Sequence, residues 1–387
     1  MLSRKTAWRE AAWIFGVSRL ALLIITALAL RFPLAGQTVS RNCANGSDCF
    51  LTTWYHWDVG AYASVAAQGY SSLHDTVFFP LWPLLLRGVG SLFGGSLVSY
   101  YVAGLLLANI FFYLALVIFY CLLAVDFDAA IARNALFYLS FAPYGLYFFA
   151  GYTESLFLLL CLLVFFCLQH EHWWLAGLCG FLAALTRSQG VLLVVPFMVV
   201  LVRRFWLHRE QTTWQQKLRV CFPALLVPLG VMVFMVYLAI TKHDPLAFST
   251  QEAVFWRRHL TIPLISIIAA FQALFHLAWL EDLFLLNFLD IASVIAVLAL
   301  LAVGWKQLPL HYNLFALALI LFNISYPQGV VEPLTAAPRY MVIVFPVYVV
   351  LATWGSKQPR IDRIITVCSL LVFTINTILF ISHFWVA

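Results

Sequence analysis

Residues 98–124 read VSYYVAGLLLANIFFYLALVIFYCLLA, without one charged side chain. A helix of about 20 predominantly apolar residues spans the hydrocarbon core of a bilayer, and it satisfies its own backbone hydrogen bonds there. Runs of the same kind recur near 11–34, 130–148, 152–168, 173–187, 189–206, 220–241, 284–304, 310–327, 339–355 and 363–384. The composition agrees: of 387 residues, 64% are hydrophobic and 10% charged. Soluble domains run nearer 45–50% apolar and about 25% charged. A soluble enzyme, a disordered chain and a basic nucleic-acid binder are excluded. The reading is an all-α polytopic membrane protein, with residues 1–387 as a single transmembrane domain of about eleven spans.

Two further apolar stretches, 79–95 and 262–281, decide which side each motif faces. If both lie flat or re-entrant, Arg4, Lys5, Arg9, Arg133, Arg203, Arg204, Arg209, Lys217, Arg219, Lys306, Lys357, Arg360 and Arg363 share the cytoplasmic side. That is thirteen of the twenty-two basic residues, the direction the positive-inside rule requires. If only one crosses, the 203–219 or the 357–363 cluster is stranded outside. Pro80, Pro83, Gly88, Gly90, Gly94 and Gly95 also make the first stretch a poor spanning helix. Interfacial helices are therefore expected in an outer loop at 35–97, and a second outer segment at 242–283.

Six of the eight cysteines, Cys121, Cys161, Cys167, Cys179, Cys221 and Cys368, lie in apolar runs and act as small hydrophobes. Cys43 and Cys49 flank a polar loop. Zinc would need more ligands than this pair, whereas a disulfide would need the loop to face an oxidising compartment.

Charges near a bilayer are costly, so their placement is informative. On this topology Asp58, Glu154, Arg187, Arg257, Arg258, His259, Glu332 and Arg339 all fall at outer helix ends or in outer loops. Asp58 sits in Trp54-Tyr55-His56-Trp57-Asp58-Val59-Gly60-Ala61-Tyr62, where flanking aromatics suit a carboxylate to accepting a proton; otherwise it caps a helix at 59–66. Glu154, after Tyr152, falls where the first turn of a helix would let a carboxylate meet the positive dipole end. Arg187, ahead of Gln189, either snorkels to the interface or holds a phosphate. Arg257, Arg258 and His259 are basic where basic residues should be scarce. Arg19 and Asp290 lie inside spans, where buried pairing is expected.

The order Trp57-Asp58, Gly69-Tyr70, Phe78-Phe79-Pro80-Leu81-Trp82-Pro83, Tyr152-Thr153-Glu154-Ser155, Thr186-Arg187-Ser188-Gln189-Gly190 and Pro338-Arg339-Tyr340 resembles the PIG-V family of mannosyltransferases. This resemblance covers most of the chain, which is short beside the eukaryotic members. It implies a membrane glycosyltransferase of the GT-C fold, with a polyprenyl-phosphate mannose donor of the dolichyl-phosphate kind and an outward or lumenal site. It further implies Asp58 as catalytic base, acting in a single inverting displacement onto a hydroxyl of a lipid-linked or extracytoplasmic acceptor. Arg187, Arg339, Arg257, Arg258 and His259 are then candidates for the donor phosphate. Glu154, Trp57, Tyr62, Tyr152 and Gln189 are candidates for sugar or acceptor, and no metal or other cofactor is expected. A bacterial inner membrane with a periplasmic site is favoured over an endoplasmic reticulum membrane with a lumenal one. The competing readings are a lipid-linked-sugar transporter or flippase, a noncatalytic partner subunit, and a sister enzyme using another sugar.

Overall fold

A computed structural model describes residues 4–32, 46–207, 213–277 and 282–386. It is 79% helix, and among the described residues there is no strand. Cys43 of the Cys43–Cys49 pair lies outside the described residues. Six of the eleven expected crossings are helices long and apolar enough to traverse a membrane: Lys5–Arg31, Leu97–Asp126, Ser188–Leu207, Lys217–Lys242, Asp282–Gly304 and Pro359–Ile381. In five of them only 28% of the central window is buried inside the protein. Apolar helices left this open to water would be severely penalised, and a lipid surround removes the penalty. The chain is an integral, multi-pass membrane protein.

The shorter apolar helices Glu154–Gln169, Trp173–Thr186 and Leu310–Ile324 coincide with three more expected crossings. The remaining two are interrupted. The 130–148 run is helical over Ala129–Ser140 and then turns through the 3-10 segment Gly145–Phe148. The 339–355 run splits into Ala337–Met341 and Pro346–Lys357, because Pro346 has no N–H to continue a helix and is suited to beginning one. In the stretch read as interfacial, Leu81–Ser91 spans 11 residues, about 16 Å at the usual helical rise and too short to cross. Gly94 and Gly95, both at positive φ, carry the chain round to the next helix. There Ser96 caps the start by accepting from the Ser99 amide at 3.1 Å. Pro263–His276, at 14 residues, likewise falls short of a bilayer's width.

The chain forms two compact units, each built from separated stretches. The first comprises Met1–Gly69, Pro83–Ser155 and Leu351–Ala387. Within it the first helix, Arg4–Arg31, packs on Leu97–Asp126 and on Pro359–Ile381. Arg19, at the middle of that helix, is buried, but among the described residues the expected pairing is not with an acid. Its Nη2 donates to the Phe148 carbonyl at 3.2 Å, and its guanidinium lies over Phe112, Phe15 and Phe149 at 4.6, 4.9 and 5.7 Å. Aromatic faces stand where a pairing partner was expected, and they offset only part of the cost of burying the charge.

The second unit comprises Tyr70–Trp82 and Leu156–Val350. Its main contact sets Trp173–Thr186 against Leu226–Lys242. Gly180 and Gly230 let the two backbones meet, since a Cβ at Gly180 would strike Val227 Cγ2 at 2.6 Å and one at Gly230 would strike Ala184 Cβ at 2.8 Å. Small residues drive close helix approach in lipid, where burial alone gives little advantage.

Candidate active site

In the first unit, the residues before Asp58 are bolted down by aromatic packing. Trp54 is wholly buried between Phe149 and Phe380, with centroids at 4.6 and 5.5 Å. Tyr55 meets Tyr101 edge-on, and the Tyr101 hydroxyl donates to the Leu51 carbonyl. The helix Asp58–Gln68 then starts abruptly from Trp57, whose φ of 47° and ψ of −120° lie outside the regions ordinary side chains favour. Such a residue costs about 1–3 kcal/mol and persists only where its surroundings hold it. Asp58 is the first residue of the helix and not its cap as the alternative reading had it. Its side chain is half-buried.

A second acid approaches the same turn. Glu154 is fully buried and opens the helix Glu154–Gln169, so both carboxylates sit where a helix dipole favours negative charge. The Tyr152 hydroxyl donates to the His56 carbonyl at 3.3 Å, and a Cβ at Gly151 would lie 3.4 Å from Val59 Cγ1. The two helix starts are thereby locked together. Ser155 and Arg19 both donate to the Phe148 carbonyl, which fixes the turn leading into Glu154. Tyr62 follows Asp58 one helical turn later and is buried. Burial first, and then the nearby His383, holds the His56 imidazole down at about 4.

The second unit gathers basic residues around one ring. The Arg187 guanidinium lies 5.2 Å from the Tyr340 centroid and 6.0 Å from that of Phe157. Arg258 donates from Nη1 to the Tyr340 hydroxyl at 3.2 Å, and from Nη2 to the Thr335 carbonyl at 3.1 Å and Gln328 Oε1 at 3.4 Å. A narrow pocket here is lined by Arg258, Asn323, Tyr326, Thr335 and Tyr340. Gln189 Nε2 donates to Asn323 Oδ1 at 3.2 Å, tying the Arg187 turn to the same region. Gly190 follows because its Cα runs against the backbone of Ala183 and Ala184, leaving no room for a side chain. Arg339 is buried beside Tyr340, whereas Arg257 and His259 are exposed.

Of the expected phosphate-binding set, the structure therefore brings Arg187 and Arg258 to a common partner, Tyr340. That tyrosine was visible in the Pro338-Arg339-Tyr340 motif but was passed over for the arginine before it. Among the described residues, no three His, Cys, Asp or Glu side chains gather as a metal site would require.

The sequence matches the family described as Mannosyltransferase (PIG-V) over residues 20–310. The chain belongs to that family. None of the curated proteins matches it. Among solved structures, it is similar to ArnT from Cupriavidus metallidurans bound to undecaprenyl phosphate, at 15% identity and a TM-score of 0.50. That comparison covers 85% of this chain and 64% of ArnT, so the chain spans less than two-thirds of that structure's length. It is also similar to the Archaeoglobus fulgidus oligosaccharyltransferase in complex with zinc and sulfate, at 14% identity and a TM-score of 0.44, covering 95% of this chain and 53% of that one. The ArnT likeness bears out the GT-C fold. The family match takes in Asp58, Glu154, Arg187, Gln189 and residues 257–259, and stops before Arg339 and Tyr340.

Proposed function

We propose that this protein is a membrane glycosyltransferase that moves mannose from a polyprenyl-phosphate donor to a hydroxyl of a lipid-linked or extracytoplasmic acceptor. The observation that carries the reading is the Asp58 turn: a half-buried carboxylate at a helix start, held by a strained Trp57 and by the start of the Glu154 helix. Membership of a mannosyltransferase family supports the sugar, and the lipid phosphate bound to ArnT supports the donor class.

In this mechanism Asp58 takes the proton of the acceptor hydroxyl as its oxygen attacks the anomeric carbon. General-base help of this kind is worth roughly 10²–10⁴-fold. The bond from that carbon to the lipid-phosphate oxygen breaks, its electron pair leaves with the phosphate, and the configuration inverts. Arg187 and Arg258, which share Tyr340, offset the charge that develops on the leaving phosphate, with the neighbouring Arg339 as a further candidate. The leaving phosphate needs little protonation, so no separate acid is required. The site faces away from the cytoplasm, in a bacterial inner membrane with a periplasmic face, and works without a metal.

The test is transfer of radiolabelled mannose from synthetic polyprenyl-phosphate mannose by purified protein with a total lipid extract, with and without EDTA. A labelled product made by the wild type, resistant to EDTA and absent in Asp58→Asn, is the expected result. Equal product from Asp58→Asn would remove Asp58 from the mechanism. Donor movement across liposomes without any product would favour a lipid carrier.

A further inference from the structure

The aromatic contacts around Trp57 include residues far outside the family match, which ends at residue 310. The Pro359–Ile381 helix closes with His383 in the left-handed region at φ 63°. The His383 amide donates to the Phe380 carbonyl at 3.1 Å, and the Phe384 amide donates to that of Leu379 at 3.0 Å. This is a Schellman closure, and its left-handed position usually holds glycine. A histidine there carries backbone strain, and its ring shows what accompanies the strain. It packs on His56 with centroids 3.8 Å apart. The reversal then sends Trp385 edge-on against Trp57 at 5.2 Å, while Phe380 meets the same indole at 5.1 Å.

Two strained residues, Trp57 and His383, thus brace each other's segments immediately before Asp58. A left-handed tryptophan relaxes unless neighbours over-determine it. Apart from their contact with each other, the ring contacts of this indole and of the adjoining imidazole come from 380–385.

We propose that His383 and Trp385 are positioning residues for Asp58: they hold the Trp57 turn from which the carboxylate is presented. The catalytic reading of Asp58 is the one given above, and the inference rests on it. The positioning itself is a physical claim that can be checked without any substrate.

The variants are Trp385→Ala, Trp385→Phe and His383→Gly. Glycine keeps the left-handed turn and deletes only the ring, so it separates the His56 contact from folding of the helix end. In amide hydrogen exchange on the full chain in lipid nanodiscs, Val59 and Gly60 report directly, since their amides bond to the His56 and Trp57 carbonyls. Both amides should exchange faster in Trp385→Ala and His383→Gly, and near the wild-type rate in Trp385→Phe. In the transfer assay, kcat should fall by roughly 10- to 100-fold in Trp385→Ala, the scale of a small misplacement of a reacting group. Its KM for polyprenyl-phosphate mannose should stay within about twofold, because the fault lies in orientation and not in donor binding. Phenylalanine at 385 should restore most of kcat.

Unchanged exchange at Val59 and Gly60 would overturn the proposal, as would a kcat for both His383→Gly and Trp385→Ala near that of the wild type. If the wild type transfers no mannose, the functional reading fails, while the exchange experiment still decides whether 380–385 hold the turn.

Discussion

Arg258 donates to the Tyr340 hydroxyl at 3.2 Å while Arg187 lies over the same ring at 5.2 Å. One tyrosine therefore orients two cations by different means, and two substitutions separate them. Tyr340→Phe keeps the face under Arg187 and removes the acceptor for Arg258. A hydrogen bond to a charged group contributes about 1.5–3 kcal/mol, but Arg258 retains its bonds to Thr335 and Gln328. Tyr340→Phe should raise the donor KM by no more than about tenfold. Tyr340→Ala releases both arginines and should raise it further. Transfer kinetics with polyprenyl-phosphate mannose check the order; an equal loss in both variants would mean that the ring face contributes nothing.

Gly190 sits in the turn that presents Arg187 and Gln189, with no room for a Cβ against the Ala183–Ala184 backbone. The obstacle is main chain within a packed helix, so the turn must move. Overpacking of this kind costs about 1–3 kcal/mol. Gly190→Ala should lower the melting temperature in detergent by several degrees and raise the donor KM. Gly69→Ala is the contrast: no atom stands near its Cβ position, so only the backbone strain of its φ of 74° remains.

What the sequence made legible follows from how local each cause is. The short helix at 81–91 was readable because Pro80, Pro83, Gly94 and Gly95 act on their own backbone. The break at Pro346 obeys the same local rule, but the long apolar run concealed it, and 339–355 was expected as one span. Asp58 and Glu154 stood out because a carboxylate between apolar stretches needs a reason. Partner choice was another matter. Arg19 was expected to find an acid, yet it found Phe148 and three rings, because the neighbouring helices bring no carboxylate within ion-pair distance among the described residues. His383 carried no sequence signal, since nothing in 380–386 says that a histidine will occupy a glycine's place in a helix closure. Tyr340 lay in plain view, but its worth depends on two arginines brought to it from distant positions.

Arg19 itself gives a prediction. Its Nε and Nη1 have no hydrogen-bond partner among the described residues, and the Phe148 carbonyl keeps the Ser155 hydroxyl if the arginine is removed. Replacing a poorly compensated buried charge with an apolar chain of similar length is often neutral or stabilising. Arg19→Met should therefore leave the melting temperature unchanged or raise it. A fall of about 5 °C or more, which in a chain of this length means a loss well above about 1 kcal/mol, would point to an anionic partner.

His56 makes stability depend on pH in a defined direction. Its imidazole is held at about 4, from the usual 6.5, by burial first and by the positive form of His383 second. The groups facing it are the rings of His383, Trp57 and Phe380, and burial lowers His383 as well. In the unfolded chain His56 takes a proton near 6.5, while in the folded chain it stays neutral down to about 4. Between those values the unfolded state binds more protons, so stability rises with pH. The contribution is complete above about 6.5 and is lost progressively as the pH falls to about 4, at most about 3 kcal/mol. Melting temperatures in detergent from pH 7.5 to 4.5 should fall more steeply for the wild type than for His56→Gln, which cannot be protonated. Parallel profiles would mean that the buried imidazole meets water or an anion when charged. His383→Gly should lessen the slope, because the charge opposing His56 is removed while the helix closure remains.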